Sequence, residues 1–181
     1  MLLNYSITPI QQYGYTTGKN STDSALIIDA MDILYSENVD GFCIVSSDSD
    51  FTKLAVRLRE AGMYVIGMGE KKTPNPFIVA CEQFKYLESL IQVEPISNSA
   101  TNIATVPKEL KEITNVILAL IAEMSDEAGW VHLSALGNML VKRQPDFDTR
   151  NYGYPKLSSL VSAIPVVEMK MKGKAYYIRR K

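Results

Sequence analysis

The stretch that decides the fold is Gly41-Phe42-Cys43-Ile44-Val45-Ser46-Ser47-Asp48-Ser49-Asp50-Phe51. Its apolar run from Phe42 to Val45 predicts a fully buried β-strand, because a glycine precedes the run and polar residues follow it. Apolar residues at helical spacing then predict a helix over residues 50–61. Asp48 and Asp50 therefore stand where a strand ends and a helix begins, which is where open α/β sheets build their sites.

Two interpretations of this acidic pair stay open at the level of sequence. Asp48 can cap the following helix by accepting backbone N–H groups, and its charge then opposes the helix dipole. This explains one carboxylate well and the second poorly. The other interpretation is a site for Mg²⁺ or Mn²⁺, ions that prefer oxygen ligands and are held by one or two carboxylates together with water and phosphate.

The composition is that of an ordinary globular protein of one domain or two small ones, with 181 residues, 46% hydrophobic and 22% charged. No apolar run approaches the ~18 residues that a membrane span requires, so no membrane partner is expected. The first residues do not form a secretory signal. Cys43 lies in the predicted strand and Cys81 in an apolar context, so both are expected to be buried, reduced thiols, and the expected location is cytoplasmic.

The N-terminal half is expected to contain a parallel sheet. Strands are predicted over residues 5–12, 63–68 and 84–87, and helices over 20–35 and 76–80, so strands and helices alternate as in βαβ units. In the first of these helices, Asp23 falls close to the inward-facing apolar residues. Asp29 and Asp32 fall on other faces and are expected to be exposed.

The C-terminal half differs in charge and in predicted architecture. Residues 1–91 hold 7 basic and 11 acidic residues, whereas residues 92–181 hold 12 and 9. A polar stretch over residues 92–106 predicts a linker. Three helices (107–125, 134–144 and 155–163) and a hairpin over 166–178 then predict a winged helix. His132 is the only histidine and is expected to pack or to cap a helix, so a Ser-His-Asp hydrolase is excluded.

Residues 18–29, together with 45–51, resemble the NYN domain of the LabA-like family, a branch of the PIN-like nucleases. Residues 59–62 and 67–70, Thr73-Pro74 and Ala80-Cys81 fit the same pattern. Residues 107–181 look like an OST-HTH (LOTUS) winged-helix domain. The resemblance divides the chain into an NYN domain (1–91), a linker (92–106) and an OST-HTH/LOTUS domain (107–181).

The resemblance implies a ribonuclease that depends on Mg²⁺ or Mn²⁺ and binds RNA through its winged helix. Asp23, Asp48 and Asp50 would be both the catalytic residues and the metal ligands, and Lys19 and Asn20 would contact phosphate. The winged helix is expected to bind RNA or to dock a protein. Its candidate RNA-binding residues are Lys142, Arg143, Arg150, Lys156, Lys170, Lys172 and Lys174.

The sequence departs from the family at its start. NYN domains usually begin with a strand that ends in an Asp, ahead of the strand predicted here at 5–12, and no such strand precedes it. The expected fold is therefore an α/β, parallel-sheet, PIN-like (Rossmann-like) domain lacking its first strand, plus a small winged helix. This leaves a catalytically inactive RNA-binding or protein-interaction adaptor as the alternative function. A phosphatase or another Mg²⁺-dependent phosphoryl enzyme is a third. A homo-oligomer is a further expectation.

Overall fold

A computed structural model describes residues 2–13, 20–36, 38–91 and 108–181. Residues 20–36 and 38–91 form a three-stranded parallel sheet with helices packed on it, which confirms the predicted α/β class. In chain order this half holds helix α1 (Ser21–Tyr35), strand β1 (Gly41–Val45), helix α2 (Thr52–Glu60), strand β2 (Tyr64–Gly69), helix α3 (Asn75–Ala80), strand β3 (Gln83–Tyr86) and helix α4 (Leu87–Ile91). The strand order is β1-β2-β3.

The core of this half lies between the sheet and helices α2 and α3. Leu58, Val65, Phe77 and Phe84 are fully buried in it. Helix α2 ends at the glycine that the sequence indicates, because Gly62 has a φ of +82° that L-residues rarely adopt. Because the three strands are parallel, their carboxyl ends lie at one edge of the sheet, and that edge carries the loop with Asp48 and Asp50.

The predicted strand over residues 5–12 is wrong. Residues Leu2–Tyr5 form a single 3₁₀ turn, and residues 7–13 have no regular structure. The side chains of residues 4–13 are exposed, so the alternating apolar residues pack against no core. Pro9 also lacks the N–H that a sheet ladder needs.

Strand β1 forms as predicted but is not fully buried. It pairs with β2 on one side and, within the described residues, with no strand on the other. Ile44 is buried, whereas Val45 is 61% exposed. Cys43 shares the face of Val45, so its thiol is exposed and its predicted burial is wrong. Cys81 is buried as predicted, and burial raises the pKa of its thiol to about 11.

A groove runs between α1 and the open edge of β1. Its walls are mostly apolar and include Leu26, Ile33, Phe42 and Val45. Leu26, Ile33 and Val45 are all exposed to solvent. No strand of the described residues pairs with this edge, and an unpaired strand edge beside apolar side chains is a place where further chain can pair.

The C-terminal half is a separate helical core closed by a small antiparallel sheet. The elements are helix α5 (Lys108–Met124), strand β4 (Val131–His132), helix α6 (Leu133–Arg143), helix α7 (Leu157–Ser162), strand β5 (Val167–Lys172) and strand β6 (Ala175–Arg180). The strand order β4-β6-β5 adds a two-residue strand to the predicted hairpin. His132 caps α6 by accepting the N–H of Ser134, which confirms its expected structural role. No helix among the described residues is long and apolar enough to span a bilayer.

The two halves meet at the outer edge of β3. The N–H of Phe84 donates to the carbonyl of Pro145 at 2.7 Å, so the loop after α6 covers this edge of the sheet. Tyr86 Oη donates to Asp146 Oδ2 at 2.9 Å, and Lys85 Nζ lies 3.1 Å from Asp148 Oδ2. Burial, followed by the hydrogen bond to Asp146, raises the pKa of the Tyr86 hydroxyl. We call these contacts the junction.

We expect the junction to weaken in acid through Asp148, whose side chain is 12% exposed. The hydrogen bond from Arg150, with the nearby Lys85, holds the pKa of Asp148 well below its usual range. Because its pKa is lower in the folded state, the Asp148 carboxylate stabilises the fold above the unfolded-state pKa of about 4. This stabilisation is lost as the pH falls through the pKa of the folded state. Asp148→Asn should therefore cost about 2 kcal/mol at neutral pH and much less in strong acid.

Thermal unfolding of the wild type and of Asp148→Asn, followed from about pH 7 down to about pH 2, measures this difference. Asp40→Asn is the matched control, because Asp40 is exposed and lies away from the junction. A difference between wild type and Asp148→Asn that does not change with pH would show that Asp148 acts through its shape and not its charge.

Candidate metal centre

Three carboxylates converge at the end of β1. Asp23 comes from the first turn of α1, and Asp48 and Asp50 from the connection between β1 and α2. One oxygen from each lies within 4.8 Å of the others. Asp23 is half-buried, whereas Asp48 and Asp50 are exposed. The predicted neighbours are thus brought together, and Asp29 and Asp32 stay outside, exposed on α1.

Local hydrogen bonds fix the orientation of Asp48. Its Oδ1 accepts the N–H of Asp50 at 3.0 Å, and its own N–H donates to Ser46 Oγ at 3.1 Å. Asp48 thus does cap the 3₁₀ turn Ser49–Phe51 that leads into α2. A carboxylate has about four acceptor positions, so this cap still leaves Asp48 free to take a ligand.

Asn20 joins the start of α1 to the acidic cluster. Its Nδ2 donates to Asp50 Oδ2 at 2.9 Å, and its side chain does not cap α1. The structure therefore places Asn20 beside the carboxylates, where it orients Asp50. Lys19, predicted to contact phosphate with it, lies outside the described residues.

The loop that carries Asp48 and Asp50 is held down by the neighbouring strand. The N–H of Ser46 donates to the carbonyl of Met68 at 2.8 Å, and Ser47 Oγ accepts the N–H of Glu70 at 2.9 Å. Gly69 makes this approach feasible, since a Cβ there would lie 2.5 Å from the Ser46 carbonyl oxygen. Sequence reasoning missed Ser46 and Ser47; the hydroxyl pair directly before Asp48 was the available signal.

The chemistry of the cluster suits a hard cation. Three negative charges this close repel one another, and among the described residues no lysine or arginine forms an ion pair with any of them. The donor set is oxygen only, which favours Mg²⁺, Mn²⁺ or Ca²⁺ over Zn²⁺.

The predicted RNA contacts of the C-terminal half lie on several elements. Two of them are engaged in ion pairs, Arg143 with Glu123 and Arg150 with Asp148. The remaining predicted residues are exposed. They occupy the end of α6, the residue before α7, strand β5 and the turn after it: Lys142, Lys156, Lys170, Lys172 and Lys174.

Comparison with protein families agrees with this architecture. The model of the NYN domain matches residues 1–88, and the model of the OST-HTH/LOTUS domain matches residues 105–178. An NYN domain is followed by a LOTUS domain. No curated protein and no solved structure matches the chain. The three clustered carboxylates belong to the NYN domain, and the basic residues just described belong to the LOTUS domain. The predicted linker, 92–106, lies outside the described residues.

Proposed function

We propose that this protein is an endoribonuclease that depends on Mg²⁺ or Mn²⁺ and uses its LOTUS domain to bind RNA. The observation that carries the proposal is the convergence of Asp23, Asp48 and Asp50 at the strand exit of an NYN domain. An NYN domain followed by a LOTUS domain supports a nuclease-like, RNA-binding protein. The dependence on a metal ion and the cleavage of RNA are the parts of this function that we propose.

In this proposal Asp23, Asp48 and Asp50 would hold the ion, each through one oxygen. The bound ion would supply a Lewis acid for the phosphate and a water of lowered pKa. The residues around the carboxylates set their positions: Asn20 orients Asp50, and the N–H of Asp50 orients Asp48. The exposure of Asp48 and Asp50 leaves room for a phosphate to approach.

The charges of the two halves support a division of labour. Residues 1–91 carry a net charge of −4, whereas residues 92–181 carry +3. A phosphate is repelled by three bare carboxylates, so RNA would reach the cluster only after a cation offsets their charge. The basic LOTUS domain supplies the complementary attraction for the RNA backbone. Catalysis by this arrangement would therefore be lost on chelation, while binding of RNA would persist.

The test is cleavage of an end-labelled, structured RNA by the full chain in Mn²⁺, in Mg²⁺ and in EDTA. We expect cleavage with metal, none in EDTA, and a loss of about 100-fold or more in Asp23→Asn. Asp32→Asn is the matched control, since Asp32 lies on the same helix, exposed and outside the cluster. Equal activity in EDTA, or equal loss in both variants, would rule out the metal-dependent mechanism.

A non-catalytic adaptor is the second candidate, and a specific observation favours it. The groove along the open edge of β1 presents exposed apolar side chains. Exposed apolar surface of this kind marks sites where other molecules bind. RNA binding without cleavage in any metal would support the adaptor.

A further inference from the structure

The sheet of the LOTUS domain has an inward face and an outward face. Val131 and Ile178, which are paired across β4 and β6, are buried in the core. Alternation along a strand puts the next pair, His132 and Tyr177, on the other face, and Lys170 of β5 also pairs with Tyr177. Aromatic and cationic side chains therefore share the outward face.

Trp130 joins these residues. Lys170 Nζ lies 3.4 Å from the centre of the Trp130 ring, and Arg179 Cζ lies 4.7 Å from it. The rings of His132 and Tyr177 meet edge to face, with centroids 5.1 Å apart at 75°. Three aromatic rings and two cations thus form one cluster, which we call the wing face: Trp130, His132, Lys170, Tyr177 and Arg179.

The loop before β4 is shaped to place Trp130 in this cluster. Asp126 Oδ1 accepts the N–H of Trp130 at 2.7 Å and that of Ala128 at 3.0 Å. Gly129 has a φ of +78°, and a Cβ added there would meet Arg179 Cδ at 3.4 Å. The backbone of this loop therefore holds Trp130 in place beside Arg179.

The charge around the wing face is strongly positive. Residues 168–181 contain six basic residues and one acid, Glu168. Glu168 forms an ion pair with Arg179, with Oε2 2.8 Å from Nη2. The same Arg179 side chain also contacts the Trp130 ring. Among the described residues, no acid forms an ion pair with Lys170 or Lys172, and both are exposed. The face is thus complementary to a polyanion.

We propose that the wing face binds single-stranded RNA. Half-buried aromatic rings beside cations on a sheet face suit unpaired bases, since each base can stack on a ring while its phosphate meets a lysine or arginine. A paired duplex would use the cations but would offer no free base to the rings. Lys170 is a flexible side chain, so an incoming base can displace it from the Trp130 ring and leave it to contact the phosphate. The inference rests on the proposed RNA binding of the LOTUS domain, but not on nuclease activity.

Trp130 is the only tryptophan of the chain, so its fluorescence reports on this face directly. The full chain is titrated in EDTA, which prevents cleavage, with a single-stranded RNA of about 12 nucleotides and with the same sequence as a duplex. We expect saturable quenching by the single strand and at least about 10-fold weaker binding of the duplex. Tyr177→Ala should weaken binding of the single strand by about 10-fold, as expected for the loss of one stacked base.

Matched variants separate stacking from loss of structure. Tyr177→Phe keeps the ring and should bind RNA almost as the wild type does. Tyr176→Ala alters the neighbouring tyrosine, which faces the opposite side of the same strand, and should bind as the wild type does. Lys170→Gln should weaken binding and make it less sensitive to salt, whereas Lys142→Gln, on α6, should weaken binding less.

Several results would overturn the proposal. RNA binding measured by fluorescence anisotropy without Trp130 quenching would place the RNA elsewhere on the chain and exclude the wing face. An equal loss of RNA affinity in Tyr177→Ala and Tyr177→Phe would exclude stacking on the Tyr177 ring. Equal affinities for the single strand and the duplex would exclude selective recognition of single strands. Absence of all RNA binding would instead remove the RNA-binding part of the proposed function as well.

Discussion

Asp48→Asn is expected to remove metal binding at the acidic cluster and to lower Mn²⁺-dependent RNA cleavage by about 100-fold or more. Residues that only orient a metal ligand already contribute about 10- to 100-fold, and a direct ligand should contribute at least as much. The substitution also removes one of the three negative charges that would attract the ion.

The fold should tolerate this change. The side-chain oxygen of the introduced asparagine can still accept the N–H of Asp50, and Asn and Asp are comparable as N-terminal caps. In the wild type, Mn²⁺ at about 100 times its dissociation constant should raise the free energy of unfolding by about 2.7 kcal/mol. In Asp48→Asn this gain should vanish while the melting temperature without metal stays close to that of the wild type.

Calorimetric titration with Mn²⁺ and thermal unfolding with and without the ion measure the two effects. Asp32→Asn serves as the control, because it removes the same charge from an exposed position outside the cluster. If Asp48→Asn binds Mn²⁺ as tightly as Asp32→Asn does, Asp48 is a cap only and the metal site proposed here is wrong.

Phe84→Ala should lower the free energy of unfolding by about 3–5 kcal/mol. Phe84 is fully buried, and its ring contacts those of Phe77 and Tyr86 edge to face. The distances between ring centroids are 6.0 Å to Phe77 and 5.3 Å to Tyr86. It also fills the space above Gly67, where a Cβ would come within 2.6 Å of the Phe84 ring. Removing the ring therefore leaves a cavity in the sheet core directly under the junction.

Urea unfolding of the wild type, Phe84→Ala and Phe84→Leu measures this effect. Phe84→Leu keeps most of the apolar volume and should cost about 1.5 kcal/mol or less. The main-chain bond from residue 84 to Pro145 is available in every variant, so the difference reports on the ring alone. A cost below about 1 kcal/mol for Phe84→Ala would mean that the core collapses around the gap.

Local patterns in the sequence predict most of the regular elements. Helix α1, strand β1, helix α2 and strand β2 lie close to their predicted bounds, because glycine, helix caps and apolar periodicity act within a few residues. Burial is harder to predict. The apolar run Phe42–Val45 is equally consistent with a central strand and with an edge strand. Val45 is exposed because β1 pairs with a strand on one side only within the described residues. The junction involves residues about 60 positions apart and leaves no local pattern.

In the candidate site, too, local features can be predicted from the sequence, whereas contacts that depend on tertiary packing cannot. The spacing of Asp48 and Asp50 predicts that they lie together at a strand exit, and helical periodicity brings Asp23 toward the core. The bond from Asn20 to Asp50 depends on how α1 packs beside β1, so sequence alone could not supply it. The contact between Trp130 and Lys170 depends on the register of three strands, one of which has two residues.

The two edges of the NYN sheet differ, and this limits how copies of the protein could assemble. The loop at Pro145 covers β3, whereas β1 is open within the described residues. Strand pairing between copies would thus join β1 of one molecule to β1 of another, with the two molecules related by a twofold axis. The β1 edges of both molecules would then be paired. Such growth would stop at two molecules and would not continue into a fibre, because the opposite edge offers no place for a third.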